Sequence, residues 1–326
     1  MLEHGGNLRD AARHYGREDW VDLSTGINPH GYPAPAPSSA AWHRLPEPDP
    51  AFLAAACAYY GAPQLLPVAG TQAAIQALPR LRPPSRVAVS APSYAEHAYH
   101  WNLNGHARQL VSYAELDAAV DASDVVVVVN PNNPTGETIA PERLLDWAAR
   151  LHARGGWLVV DEAFGDTAPA LSVAPHAARP GLIVLRSIGK FFGLAGLRLG
   201  FVAAHERVLA ELADLLGPWA VSGPAQEIAL QALADTLWQQ DTQERLAQAG
   251  PRMERLLREH DIASSGTPLF RWWPEARPEA FHEHMAARGI WCRLFRDAAR
   301  GIRVGLPASE DEWRRLEQAL HEWSKQ

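Results

Sequence analysis

The chain has 326 residues, 47% of them apolar and 21% charged, with a formal net charge of −7. That is enough for one large and one smaller globular domain with a sizeable core. The acidic balance, without a long Lys/Arg cluster, argues against a nucleic-acid partner. The longest strongly apolar run, Val125 to Val129, is far short of the ~20 residues that span a bilayer. The start, Met1-Leu2-Glu3-His4-Gly5-Gly6, carries no signal-peptide pattern, so a cytoplasmic protein is expected. Cys57 and Cys292 form no CxxC pair, and the fourteen histidines are scattered. No metal site is expected; His97, His100, His282 and His284 read as surface or substrate-contact residues.

In chain order, residues 29–50 are rich in proline and read as an irregular connector. Short apolar strands are then expected at Val87–Ser90, Arg108–Val111, Val125–Val129, Trp157–Val160, Ile183–Arg186 and Leu199–Ala203. Helical stretches such as Pro141–Arg154 separate most of them. Apolar strands joined by helices predict an α/β domain, its mostly parallel sheet flanked by helices. Past Pro224 the pattern changes: long helices to about His260, short strands near Phe270, Trp291 and Arg303, and helices at 278–288 and 309–324. This predicts a smaller α+β domain. The division expected is 1–45, an N-terminal segment packing with the small domain; 46–220, the large domain; and 221–326, the small domain.

Ligands in such sheets sit at the carboxyl ends of the strands, and five segments there carry chemistry. Lys190 lies just past a strand in the glycine-rich run Ser187-Ile188-Gly189-Lys190, eight residues before Arg198. Burial near a cation lowers a lysine's pKa and makes it able to form imines. Ser187 and Arg198 can hold a phosphate between them; a solvated Lys and Arg beside a glycine turn is the ordinary alternative. Asp161 ends a strand, where it can face a pyridine nitrogen or cap a following helix. Asn130-Pro131-Asn132-Asn133-Pro134-Thr135-Gly136 is a rigid turn after five valines, able to present an Asn amide. Gly70-Thr71 opens a helix whose free N–H groups suit an anion. Tyr94 follows a strand and can stack on an aromatic cofactor or fill the core.

Taken together and in this order, these segments resemble the fold-type I pyridoxal-5′-phosphate (PLP) enzymes, in the aminotransferase class I/II branch. The similarity runs from about residue 4 to about 306. It implies PLP as cofactor and Lys190 as the Schiff-base lysine. Asp161 is implied at the pyridine nitrogen, Asn133 at the phenolate oxygen, Tyr94 on the ring, and Gly70, Thr71, Ser187 and Arg198 at the phosphate. Arg303 matches the arginine that grips the substrate carboxylate. Two positions depart from the histidinol-phosphate aminotransferase pattern. Phe164 stands where a tyrosine reaches the phenolate oxygen, and Leu45 where a tyrosine reaches the neighbouring subunit's cofactor phosphate.

The N-terminal His4-Gly5-Gly6-Asn7, with Asp22-Leu23-Ser24-Thr25-Gly26-Ile27-Asn28-Pro29 and the Phe164 segment, resembles the threonine-phosphate decarboxylases of cobalamin biosynthesis. That resemblance implies a phosphorylated amino acid, O-phospho-L-threonine, as substrate. It implies contacts from His4 and Gly5, with Asn133, Arg293 and Arg303 as further candidates, and a homodimer. A histidinol-phosphate-type aminotransferase is the alternative, and a non-catalytic PLP-binding protein a more remote one.

Overall fold

The computed structural model describes residues 4–325. Its thirteen strands are β1 (Val21–Asp22), β2 (Leu66–Val68), β3 (Arg86–Ser90), β4 (Ala107–Val111), β5 (Val125–Val129), β6 (Trp157–Asp161), β7 (Leu182–Ser187), β8 (Gly200–Ala204), β9 (Ser265–Thr267), β10 (Phe270–Trp273), β11 (Ile290–Trp291), β12 (Arg293–Phe295) and β13 (Gly301–Gly305). Seven of them form one sheet in the order β2-β8-β7-β6-β5-β3-β4. β4, β3, β5, β6 and β7 run parallel; β8 is antiparallel to both of its neighbours.

The central strand explains why the sheet must be covered twice. All five valines of β5 are buried. Side chains alternate across a strand, so Val126 and Val128 pack on one face with Leu144, Trp147 and Phe201. Val125 and Val127 pack on the other with Ile75, Trp101 and Leu212. Each fully buried valine contributes roughly 1.5–3 kcal/mol, and no polar face remains for water.

β12-β13-β10-β9 make a separate four-stranded antiparallel sheet. β1, from the N-terminal segment, pairs with β11 in parallel, Val21 opposite Ile290. The expected connector at 29–50 contains one short helix, Ser39–His43, whose Ser38 side chain accepts a bond from the Ala41 N–H. The expected run to His260 is two helices, Gly223–Ala234 and Thr236–Glu259. They divide at Asp235, whose carboxylate caps the second by accepting from the Trp238 N–H. Four short strands, β1, β2, β9 and β12, lie outside the expected set; two or three residues give too few alternations to register as a period.

Candidate active site

Strand direction brings the chemistry to one edge of the large sheet. Gly200, the first residue of antiparallel β8, pairs with Val68 on one side and Ser187 on the other, the last residues of β2 and β7. At the same edge Val129 pairs with Asp161. The loops after β2, β3, β5, β6 and β7, and the turn entering β8, therefore meet around one point. They enclose an inner cavity of about 150 Å³. All eight residues assigned to the cofactor line it: Gly70, Thr71, Tyr94, Asn133, Asp161, Ser187, Lys190 and Arg198.

Lys190 is held by its backbone. Its carbonyl accepts from the N–H groups of Asn28 at 3.0 Å and Gly193 at 3.2 Å. The Asn28 side-chain amide donates to the Phe191 carbonyl at 2.9 Å. A Cβ on Gly193 would fall 2.5 Å from the Gly31 Cα, so the loop can lie this close only with glycine there. The Lys190 ammonium lies 5.5 Å from the Phe164 ring centre. Burial, then the charge of Arg303, pushes its pKa down to about 8; Asp161 opposes the shift and Arg198 adds to it. A substantial neutral fraction near physiological pH is what a nucleophilic amine needs.

Asp161 and Glu162 are neighbours in the chain but face opposite ways, as strand geometry requires. Asp161 is 3% exposed and faces the cavity. One oxygen lies 2.8 Å from His97 Nε2, and the other accepts from the Ala163 N–H at 3.0 Å. Glu162 turns to the far face and pairs with Arg186 at 2.6 Å, which also pairs with Asp166 at 2.8 Å. His97 corrects the expectation of a surface or substrate-contact histidine: it is 1% exposed and sits behind Asp161. The Pro92–His97 segment carried this signal, since a histidine three residues past Tyr94 on a helix that packs on the sheet returns to the sheet edge. His284 is corrected likewise: it is buried, with Nε2 2.8 Å from the Ala319 carbonyl.

The anion cradle is compact. Gly70 has φ 72°, and a Cβ there would fall 2.8 Å from Arg198 Nη2. Glycine therefore lets the guanidinium lie against the start of helix Thr71–Ala77. Arg198 itself has φ 52° and donates to the Ala195 carbonyl at 3.0 Å. The Ser187 hydroxyl accepts from the Gly189 N–H at 3.2 Å.

An outer cavity of about 610 Å³ opens from the inner one, the two sharing Tyr94 and Asn133. His4 and Arg293 line it. His4 Nε2 lies 2.7 Å from Glu96 Oε1. Gly5 packs so tightly that a Cβ would fall 2.3 Å from the Ser24 carbonyl oxygen. Arg303, on β13 opposite Arg293, is 5% exposed. It donates to Asn133 Oδ1 and to the Ser24 carbonyl, both at 2.5 Å, while its Nε has no hydrogen-bond partner. Burial, then the charge of Arg293, pushes its pKa down to about 9. A buried guanidinium short of negative charge is a carboxylate receptor.

The inner cavity suits PLP on these observations: a buried, pKa-lowered amine, a buried carboxylate across from it, an aromatic ring, and a cradle of Gly70, Ser187 and Arg198 for a phosphate. Among the described residues, no group of three or more His, Cys, Asp or Glu side chains is arranged to hold a metal ion. No helix among them is long and apolar enough to cross a membrane.

The chain is 52% identical over 323 residues to a threonine-phosphate decarboxylase from Pseudomonas aeruginosa, covering 98% of this chain and 97% of that one. It is 49% identical over 331 residues to a threonine-phosphate decarboxylase from Sinorhizobium sp., covering 98% and 97%. Among solved structures it resembles the histidinol-phosphate aminotransferase from Sinorhizobium meliloti in complex with pyridoxal-5′-phosphate. The TM-score is 0.84 at 24% identity, covering 100% of this chain and 96% of that one. Residues 18–296 match the model of the aminotransferase class I and II family. With that match over most of its length, the chain belongs to the class I and II aminotransferase family.

Proposed function

We propose that this protein is a PLP-dependent carboxy-lyase that converts O-phospho-L-threonine to (R)-1-aminopropan-2-ol O-phosphate and CO₂, as a step in cobalamin biosynthesis. The observation that carries this reading is the 52% identity, over nearly the full length of both chains, to a threonine-phosphate decarboxylase. The Cα–carboxylate bond breaks, CO₂ leaves, and a proton takes its place at Cα. PLP, when bound, supplies the electron sink that accepts the pair left at Cα.

The side chains divide the work. Lys190 would hold the cofactor covalently through Nζ, and when freed its protonated amine, the main form below about pH 8, can give the proton to Cα. Asp161 keeps the pyridine nitrogen protonated, and His97 behind it fixes the carboxylate. Asn133 gives its Oδ1 to Arg303, so the amide N–H₂ is what it offers the phenolate oxygen. Tyr94 stacks on the ring. Gly70, Thr71, Ser187 and Arg198 take the cofactor phosphate. Arg303 grips the substrate carboxylate, while His4, the Gly5 backbone and Arg293 meet the substrate in the outer cavity. Binding energy from a remote phosphate can fix the orientation in which the substrate is held, and so which bond at Cα breaks.

The enzyme works as a cytoplasmic homodimer in this reading. Trp42 and Leu45, 65% and 64% exposed, support a surface that a second copy covers. The domains divide near residues 45 and 220.

A mass-spectrometric assay with O-phospho-L-threonine tests the reaction. Aminopropanol phosphate and CO₂ are expected with no oxo acid present. Glutamate formed from 2-oxoglutarate, without CO₂, would give the site to transamination instead.

A further inference from the structure

Glu96 touches neither the inner cavity nor its anion cradle, yet it is a buried carboxylate, 8% exposed, on which three segments converge. Oε2 accepts from Gln72 Nε2 at 2.7 Å and lies 3.0 Å from His100 Nε2. Oε1 is taken by His4 at 2.7 Å. Burial opposes the charged carboxylate, but the Gln72 and His4 bonds and the charges of His4 and His100 hold its pKa below the ordinary value. Gln72 adjoins Thr71 of the anion cradle, and the His4 ring lies 6.0 Å from that of Tyr94.

The segment that begins at His4 is tied at its other end to a different layer. The Gly6 N–H donates to the Ser24 hydroxyl at 2.7 Å, and that hydroxyl donates to Asp22 at 2.6 Å. Trp291 Nε1 donates to Asn7 Oδ1 at 3.1 Å. Asp22 and Trp291 are paired residues of β1 and β11. Residues 4–7 therefore run from Glu96 to the β1–β11 pair, and His4 at their start lines the outer cavity. At the open side of the cavity the tie is a hydrogen bond to a buried carboxylate, the stronger kind of hydrogen bond. An acidic residue in the first turn of helix Ala95–Leu103 also suits the helix dipole. That role would be felt in stability and not in substrate affinity.

We propose that Glu96 is a positioning residue: it takes no part in bond breaking but holds His4 across the mouth, so that residues 4–7 form a strap over the phosphorylated substrate. This rests on the reading of His4 as a substrate contact given above. Gln72 and His100 fix one carboxylate oxygen, which aims the other at the mouth.

The test uses the PLP-loaded enzyme and the variants Glu96→Ala, Glu96→Gln, His4→Ala and the double variant Glu96→Ala/His4→Ala. Glu96→Ala and His4→Ala are each expected to raise KM for O-phospho-L-threonine about tenfold with kcat within about twofold, the pattern of lost binding. The cofactor absorbance should not change. The double variant is expected to be no worse than either single one, because both break the same contact. Glu96→Gln fills the same slot and still accepts hydrogen bonds, so it should restore most of the affinity; it also serves if the alanine variant does not fold. Amide hydrogen exchange at Gly6 and Asn7 should speed up about tenfold in Glu96→Ala. Effects that multiply in the double variant, or a lowered Tm with KM and exchange unchanged, would overturn the strap. A wild-type enzyme with no turnover of O-phospho-L-threonine would defeat the proposed reaction instead, and the exchange comparison would then decide the strap alone.

Discussion

The inner cavity takes its side chains from short segments that each follow or enter a strand of one sheet: Gly70 after β2, Tyr94 after β3, Asn133 after β5, Asp161 at the end of β6, Lys190 after β7 and Arg198 before β8. Its mouth takes His4 from the N-terminal segment and Arg293 from a strand of a second sheet, with Arg303 paired beside Arg293 and Glu96, on a helix, bonded to His4. Sheet hydrogen bonds position the first group and also pair Arg293 with Arg303, whereas a single side-chain contact between distant segments holds His4 on Glu96. The difference implies a division of labour. Inner substitutions should change cofactor chemistry and kcat, and outer ones should change how substrate is held while the cofactor stays in place.

The hardest test of that division is Lys190→Ala. Turnover should fall about 10²–10⁴-fold or more, the worth of a positioned acid–base group, and borohydride reduction should no longer label the peptide. Label on Lys325, the other lysine of the chain, would remove Lys190 from the centre of the site. The same residue carries a pH signature. Neutral amine forms as pH rises through its pKa, which is about 8 here against an ordinary value of 10.5. Covalent capture of PLP by the cofactor-free protein, followed by absorbance, should therefore rise with a midpoint near 8; a midpoint near 10.5 would contradict the burial argument.

Asp161→Asn comes next. It removes the charge facing the cavity and leaves His97 bonded to an amide, so kcat should fall on the order of a hundredfold. Near wild-type kcat would exclude the assigned role. At the mouth, Arg303→Ala should cost ~2–5 kcal/mol in kcat/KM, the range for truncating one partner of a buried charge pair. Because Arg303 also holds Asn133 Oδ1 and lowers the Lys190 pKa, PLP affinity should shift too, but far less than kcat/KM; an equal loss in both would erase the boundary between inner and outer residues. The smallest effect is expected for Arg198→Ala. Losing one charged hydrogen-bonding partner, ~1.5–3 kcal/mol, should weaken PLP binding, and excess PLP should restore activity. An unchanged dissociation constant for PLP would count against the anion cradle.

The sequence by itself placed the segments of the inner site at strand ends, because strand and turn signals are local; the roles of their side chains came from the family resemblance. Five valines can only be a strand covered on both faces, Asn-Pro-Thr-Gly can only turn, and a lysine in a glycine-rich run after a strand points to the strand's carboxyl end. The tertiary structure decided what depends on direction and register between distant strands. That β8 runs antiparallel, and so delivers Arg198 to the same edge as Lys190, follows from pairing with β2 and β7; hydrophobic periodicity is the same for either direction. His97 behind Asp161, Asn28 bracing the Lys190 loop, and Glu96 holding His4 join residues 64, 163 and 92 positions apart. Apart from the spacing that sets His97 three residues past Tyr94, such contacts leave no trace in composition or spacing, because which side chains meet is set by the packing of helices on the sheet and by the path of the N-terminal segment across it.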